Sequence, residues 1–141
     1  MTNTNDFSII ENKIYIQGIT LGDKEKLVIE KLGEPSRKEE DDAGDLDYYL
    51  IFNNLGVGIS KNEVVHLFVE INKESFVNKF NSIQSEEKYK NQLGELYLYS
   101  KPSEQLLISK EMNDDLITVH LNYNDNNINL SSNDEWFTKV N

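Results

Sequence analysis

The run Glu39-Glu40-Asp41-Asp42-Ala43-Gly44-Asp45-Leu46-Asp47 packs six carboxylates into a short stretch. Carboxylates at that density can offer oxygens to Ca²⁺, face a basic partner, or hydrate a loop. A calcium loop of the EF-hand kind needs a central Gly and a closing Glu at set spacing, and this run lacks that spacing. Asn122-x-Asn124-x-Asn126 touches the same pattern. It too lacks the Gly, and Asn133 stands where the closing carboxylate belongs. His66 and His120 both fall on the alternate face of predicted strands. Such a pair could ligate a metal or move protons; the ordinary reading is two half-exposed sheet positions. Ser131-Ser132 lies near an Asp, with no Gly-x-Ser-x-Gly elbow and no orienting His. No catalytic, cofactor or metal residue is assigned on these grounds, and the chain is not expected to be an enzyme. The candidate partner-binding residues are Glu39, Glu40, Asp41, Asp42, Asp45 and Asp47.

Aromatic residues give a second kind of candidate. Tyr48, Tyr49, Tyr97, Tyr99 and Tyr123 can anchor an interface where a strand face is exposed. Otherwise they pack with the hydroxyl at an edge. Trp136 is expected to pin the last element to the core.

Composition limits the partners. The chain has 141 residues and a formal net charge of −11. Phosphate binding needs clustered Lys and Arg, so nucleic acid is a poor direct partner, and an acidic membrane surface would repel the chain. A basic protein would be steered toward it. Residues 1–141 are expected to form one domain, large enough to bury a core without a disulfide or metal. Cys is absent, which excludes a thiolate metal site and fits a reducing compartment. Met1 to Asp6 lack a basic, apolar signal region, and no apolar run approaches the roughly 20 residues of a membrane span. The expected location is cytoplasmic.

The elements that must position these residues begin with a hairpin. Phe7–Ile10 and Lys13–Gln17 flank Glu11-Asn12, and Asn tolerates positive φ in a tight turn. Ile14 and Ile16 share one face. A helix is predicted over Lys24–Leu32, with Asp23 as N-cap, Gly33 closing it and Pro35 forbidding continuation. Val28 and Leu32 mark its apolar face. Ser36–Asp45 can extend a strand at its start and becomes a solvated loop by Asp41. Asp47–Phe52, Val57–Ser60 and Val64–Ile71 form a three-stranded meander, with Asn53–Gly56 and Lys61-Asn62 as turns. In the last strand Val65, Leu67, Val69 and Ile71 alternate with Val64, His66, Phe68 and Glu70.

The second half is less regular. Glu74–Phe80 reads as extended structure or loop, and Ser82–Gln92 as a loop with some helix. That polar stretch is the candidate seam between subdomains 7–76 and 93–141. Glu95–Tyr99 alternates as a strand. Ser103 can cap a short helix carrying Leu106 and Leu107, which is the preferred reading; a strand at Leu106–Ile108 is the alternative. Leu116–Tyr123 is a strand, Asp125–Asn127 a turn, and Ile128–Leu130 a hairpin partner. Asp134 can cap a last short helix with Trp136 and Phe137. Short loops without a βαβ crossover give the class α+β with an antiparallel sheet.

Ile19-x-Leu21-Gly22, Val28 and Leu32-Gly33-x-Pro35 resemble the pattern of the small lipoprotein domain of the outer-membrane assembly machine (BamE-like). Together with Asn54–Ile59 and Val64–Ile71, the stretch 7–76 also resembles a family of small acidic domains encoded beside secreted antibacterial toxins. The second resemblance implies an immunity protein that binds a cognate toxin, with a basic surface, and neutralises it without catalysis. The first implies a structural adaptor or assembly scaffold. Neither carries over a catalytic residue.

Overall fold

A computed structural model describes residues 7–111, 115–124, 130 and 136–140 of the chain. Strands β1 (Phe7–Ile10) and β2 (Lys13–Ile16) form the expected hairpin, with Glu11 and Asn12 both at positive φ. Helix α1 spans Glu25–Leu32. Strands β3 (Arg37–Glu40), β4 (Tyr48–Phe52), β5 (Leu55–Ser60) and β6 (Glu63–Asn72) follow as an antiparallel meander. Helix α2 (Lys73–Ser82) then leads to a second meander of β7 (Glu87–Asn91), β8 (Leu96–Ser100), β9 (Gln105–Glu111) and β10 (Leu116–Tyr123). Strand β11 (Phe137–Lys139) pairs with β7. Strand β10 lies against β6, from Leu116 opposite Asn72 to Asn122 opposite His66. This seam joins the two meanders into a nine-stranded sheet of order β11-β7-β8-β9-β10-β6-β5-β4-β3. The class is α+β with strand dominant.

The hairpin and both helices contribute to one core on one face of the sheet. Phe7, Ile14, Ile16, Val28, Phe76 and Phe80 are buried there with Val57, Leu67, Val69, Leu98, Leu107, Val119 and Leu121. Burying each such side chain is worth about 1.5–3 kcal/mol. Val28 is the anchor of α1, and Leu32 is half-buried beside the core.

Two expectations change because of pairing with segments distant in sequence. Asp23 is not the cap of α1. Gly22 to Lys24 lie beside the start of β6, with Gly22 N–H donating to Val64 O, Val64 N–H to Asp23 O, and Lys24 bridged to Glu63. The helix therefore starts one residue later, at an extended Lys24 with no side-chain cap, and Asp23 Oδ2 accepts from Thr20 N–H instead. Gly33 does close the helix at φ +83°, its N–H donating to Ile29 O. Val64 rather than Val65 enters the core, because Gly58 faces His66 while Ile59 faces Val64. Val65 is thus the extra residue of a β-bulge.

The second half holds the larger corrections. Residues 73–82 are helical because Asn72 accepts from Ser75 N–H as an N-cap, and Phe76 and Phe80 lie one turn apart on the buried side. The stretch 87–91 is a strand, although polar, and β9 replaces the short helix expected after Ser103. Gln105, Leu106, Leu107 and Ser109 are all buried, so both faces of β9 are covered and no alternation shows in the sequence. Phe137 sits in a strand, not a helix, edge-on to the Tyr97 ring at 5.0 Å. Trp136 is 37% exposed. The readings placed on 125–129, Ser131, Ser132, Asn133 and Asp134 lie outside the described residues.

A ring of buried hydrogen bonds seats the hairpin on the sheet. Ile14 N–H donates to Gln105 Oε1 at 2.6 Å, Gln105 Nε2 to Thr20 Oγ1 at 3.1 Å, and Thr20 Oγ1 to Ile14 O at 2.8 Å. Replacing Gln105 by Leu keeps its bulk and strands the Ile14 N–H. The expected loss is about 1–3 kcal/mol in urea unfolding, the cost of an unsatisfied buried donor. A loss below about 0.5 kcal/mol, the ordinary scatter of surface substitutions, would show that the ring does not hold the hairpin.

Candidate functional site

The second face of the sheet carries the chemistry-bearing residues. On β5 it presents Gly56 and Gly58, opposite Phe68 and His66 of β6. A Cβ on Gly56 would come within 2.1 Å of the Phe68 ring. A Cβ on Gly58 would crowd Leu46, His66 and Tyr49 at 3.0–3.1 Å. Glycine inside a strand allows a close approach of this kind. With no side chain on β5 in the way, Tyr49 of β4 reaches over it to His66 of β6, and Tyr49 Oη lies 3.1 Å from His66 Nδ1.

His66 Nε2 in turn lies 3.0 Å from His120 Nδ1 on β10, and the two imidazoles stack at 5.3 Å with 15° between their planes. Phe68 packs against both histidines and against Tyr49. Two proton arrangements satisfy the chain. Either Tyr49 O–H donates to His66 Nδ1 and His66 Nε2–H to His120 Nδ1, or His120 Nδ1–H donates to His66 Nε2 and His66 Nδ1–H to Tyr49 Oη. Both rings are then neutral. Burial, and then the neighbouring His120, push the His66 pKa down to about 4. Burial, and then Lys110, lower that of His120. Burial raises Tyr49, helped by Asp41 and Asp45. Tyr49, His66, Phe68 and His120 are each half-buried, so the cluster is rigid yet reachable.

The acidic run borders this patch at the β3–β4 end, and its six carboxylates divide into two groups. Glu39 pairs with Arg37. Asp41 folds the turn, accepting from Ala43, Asp45 and Leu46 N–H. Asp47 accepts from Lys61 N–H across the next turn. Glu40, Asp42 and Asp45 are exposed, and their carboxylates have no partner among the described residues. Glu39 and Glu40 belong to edge strand β3 and not to a loop. Among the described residues no cluster of three or more His, Cys, Asp or Glu could hold a metal.

The five tyrosines separate. Tyr49 joins the histidine patch. Tyr97 and Tyr99 belong with Tyr89, Leu106, Ile108 and Phe137 to a second apolar cluster farther along the same face. Tyr48 donates to Glu25 on α1, a bond that raises its pKa to about 12. Tyr123 packs against the main core. The sequence placed both histidines on one face of predicted strands. The glycines that let Tyr49 join them were the missed signal, since Gly56 reads equally well as the end of a turn.

The lowered His66 pKa fixes a sign. Between about 4 and its ordinary 6.5, the unfolded chain binds a proton that the folded chain refuses. Stability from this site is therefore complete above pH 6.5 and lost as pH falls toward 4. Chemical denaturation at pH 7 and 4.5 should show a larger acid loss for wild type than for His66→Phe. Equal losses, or a His66 NMR titration midpoint above 6, would contradict the neutral relay.

No family model matches the chain, and no curated protein matches it. A solved structure of an extracellular protein containing an SCP domain, from Bacillus anthracis str. Ames, is similar over 100% of this chain at 16% identity and a TM-score of 0.45. The chain spans 53% of that protein's length. The cytoplasmic location expected from the sequence is accordingly withdrawn: the similar structure is that of an extracellular protein, and a chain without Cys folds in either redox environment.

Proposed function

We propose that this chain is a non-catalytic protein-binding module that captures a basic partner on the second face of its sheet. In the form implied by the resemblance of residues 7–76, the partner is an antibacterial toxin and the chain is its immunity protein. The observation that carries the reading is the patch of Tyr49, His66, Phe68 and His120, bordered by the unpartnered carboxylates of Glu40, Asp42 and Asp45. Aromatic side chains already locked by neighbours lose little freedom on binding, and they supply most of the energy at interface centres. The free carboxylates supply long-range attraction, which speeds encounter and weakens with salt. Net charge of −11 extends the same field over the surface.

A second reading is a structural adaptor of the small-lipoprotein (BamE-like) kind. The order hairpin, helix, meander in β1-β2-α1-β3-β4-β5-β6 favours it. Such an adaptor would not rescue cells from a toxin.

Co-expression with the toxin encoded beside the gene separates the two readings: wild type should protect, and cells dying equally with and without it would end the immunity reading. Glu40→Gln, Asp42→Asn and Asp45→Asn together leave the turn held by Asp41 intact. They should slow association at low salt and leave dissociation unchanged. Phe68→Ala should instead speed dissociation by about tenfold or more, as loss of an interface anchor does. Unaltered kinetics in both variants would move the interface off this face.

A further inference from the structure

Lys88 stands on β7 with its side chain turned into the protein. Its register partner, Leu98, is fully buried, and Lys88 itself is only 6% exposed. Its Nζ lies 5.6 Å from the centre of the Phe80 ring on α2. Among the described residues no carboxylate pairs with it and no oxygen accepts a hydrogen bond from its ammonium. The ammonium is not sealed, because no buried side-chain nitrogen or oxygen among the described residues is both shut from solvent and unpartnered. Lys88 lines a cleft of ≈ 490 Å³ together with Asn81, Gln84, Ser85 and Lys139.

A nearly buried ammonium with no protein acceptor loses most of its water and gains no protein bond in return. A ring at 5.6 Å is close to the limit of useful cation–π attraction and accepts none of its three N–H donors. The other groups around the cleft add donors: the Lys139 ammonium, the Asn81 and Gln84 amides, and the Ser85 hydroxyl. Glu86 and Glu87 line it too. Glu86 is engaged by the Asn12 amide and Glu87 by the Tyr89 hydroxyl. Their charges remain, so the cleft disfavours a polyanion more than a small ion that can sit directly against Lys88. We infer that this cleft binds a small oxyanion of phosphate or carboxylate size, with Lys88 as its principal donor. Charge-assisted bonds to such an ion are stronger than those the ammonium makes with water. The site is independent of the partner-binding face.

The test is an amide NMR titration of the full chain at pH 7 and constant ionic strength. Inorganic phosphate and acetate are the two probes, with chloride as the control. Saturable shifts should appear with phosphate, acetate or both at Gln84–Lys88 and in the Asn81 and Gln84 side-chain amides, and chloride should not reproduce them. Lys88→Met should weaken the binding at least about tenfold, the loss expected of one charge-assisted hydrogen bond. Lys139→Gln, at an exposed position, should weaken it by a smaller factor. Removing an unpaired buried charge should leave Lys88→Met at least as stable as wild type. Shifts that never saturate with either probe, or that chloride reproduces, would overturn the site. So would saturable binding that both variants leave unchanged. If Lys88→Met does not fold, the Lys139→Gln result decides.

Discussion

Among the described residues, two helices of 8 and 10 residues and one two-stranded hairpin must cover a nine-stranded sheet. That is enough material for one face. The hairpin stays on that face because Gln105, Thr20 and Ile14 close a ring of hydrogen bonds with every member satisfied. Asn12 adds two links, donating its amide to Glu86 and accepting at its carbonyl from Ser100 Oγ. Apolar packing supplies the energy of the cover, and these bonds set its position. A hairpin held by apolar contact alone could slide along the sheet; one bonded at Gln105 and Ser100 cannot.

The second face then has to be stable without such a cover. Around β4, β5, β6 and β10 it solves this with side chains that cover one another. Phe68 lies over Gly56, Leu46 and Tyr49 close over Gly58, and the two imidazoles stack. The polar atoms of the cluster are joined in series, so no donor is wasted inside it. The same arrangement produces an aromatic patch whose geometry is fixed before any partner arrives. Farther along the face, Leu130 and Phe137 close over Tyr89, Tyr97 and Leu106. That end is packed, while the histidine end is left half-open beside the acidic turn.

Local rules read the first half well. Glu11-Asn12 and Lys61-Asn62 both adopt the paired positive φ of tight hairpin turns, and Gly33 ends α1. Such signals depend on a residue and its near neighbours alone. What failed depended on distant partners. Asp23 has an N-cap's chemistry, but the bridge from Lys24 to Glu63 delays the helix by one residue and leaves Asp23 outside the cap position. Val65 fits the alternation, and a bulge set by Gly58 and Ile59 displaces it. Strand β7 is rich in Lys, Glu and Asn, and its pairing with β8 and β11 leaves no mark on its own sequence. The site was half legible. Both histidines were placed on one face, but their contact requires the β6–β10 register, and Tyr49 requires two glycines on the strand between. The carboxylates were visible as a run. Which of them are occupied by Arg37, the turn amides and Lys61 N–H was not.

The central claim is that the half-open end of the second face is where a basic protein binds. Hydroxyl-radical footprinting of the complex with the cognate toxin addresses it at the side chains themselves. Tyr49, His66, Phe68 and His120 should lose reactivity on binding, while Tyr15 and the exposed Ile10 of the hairpin keep theirs. Protection of the hairpin with Phe68 and His120 unchanged would contradict the account and place the partner on the opposite side of the molecule.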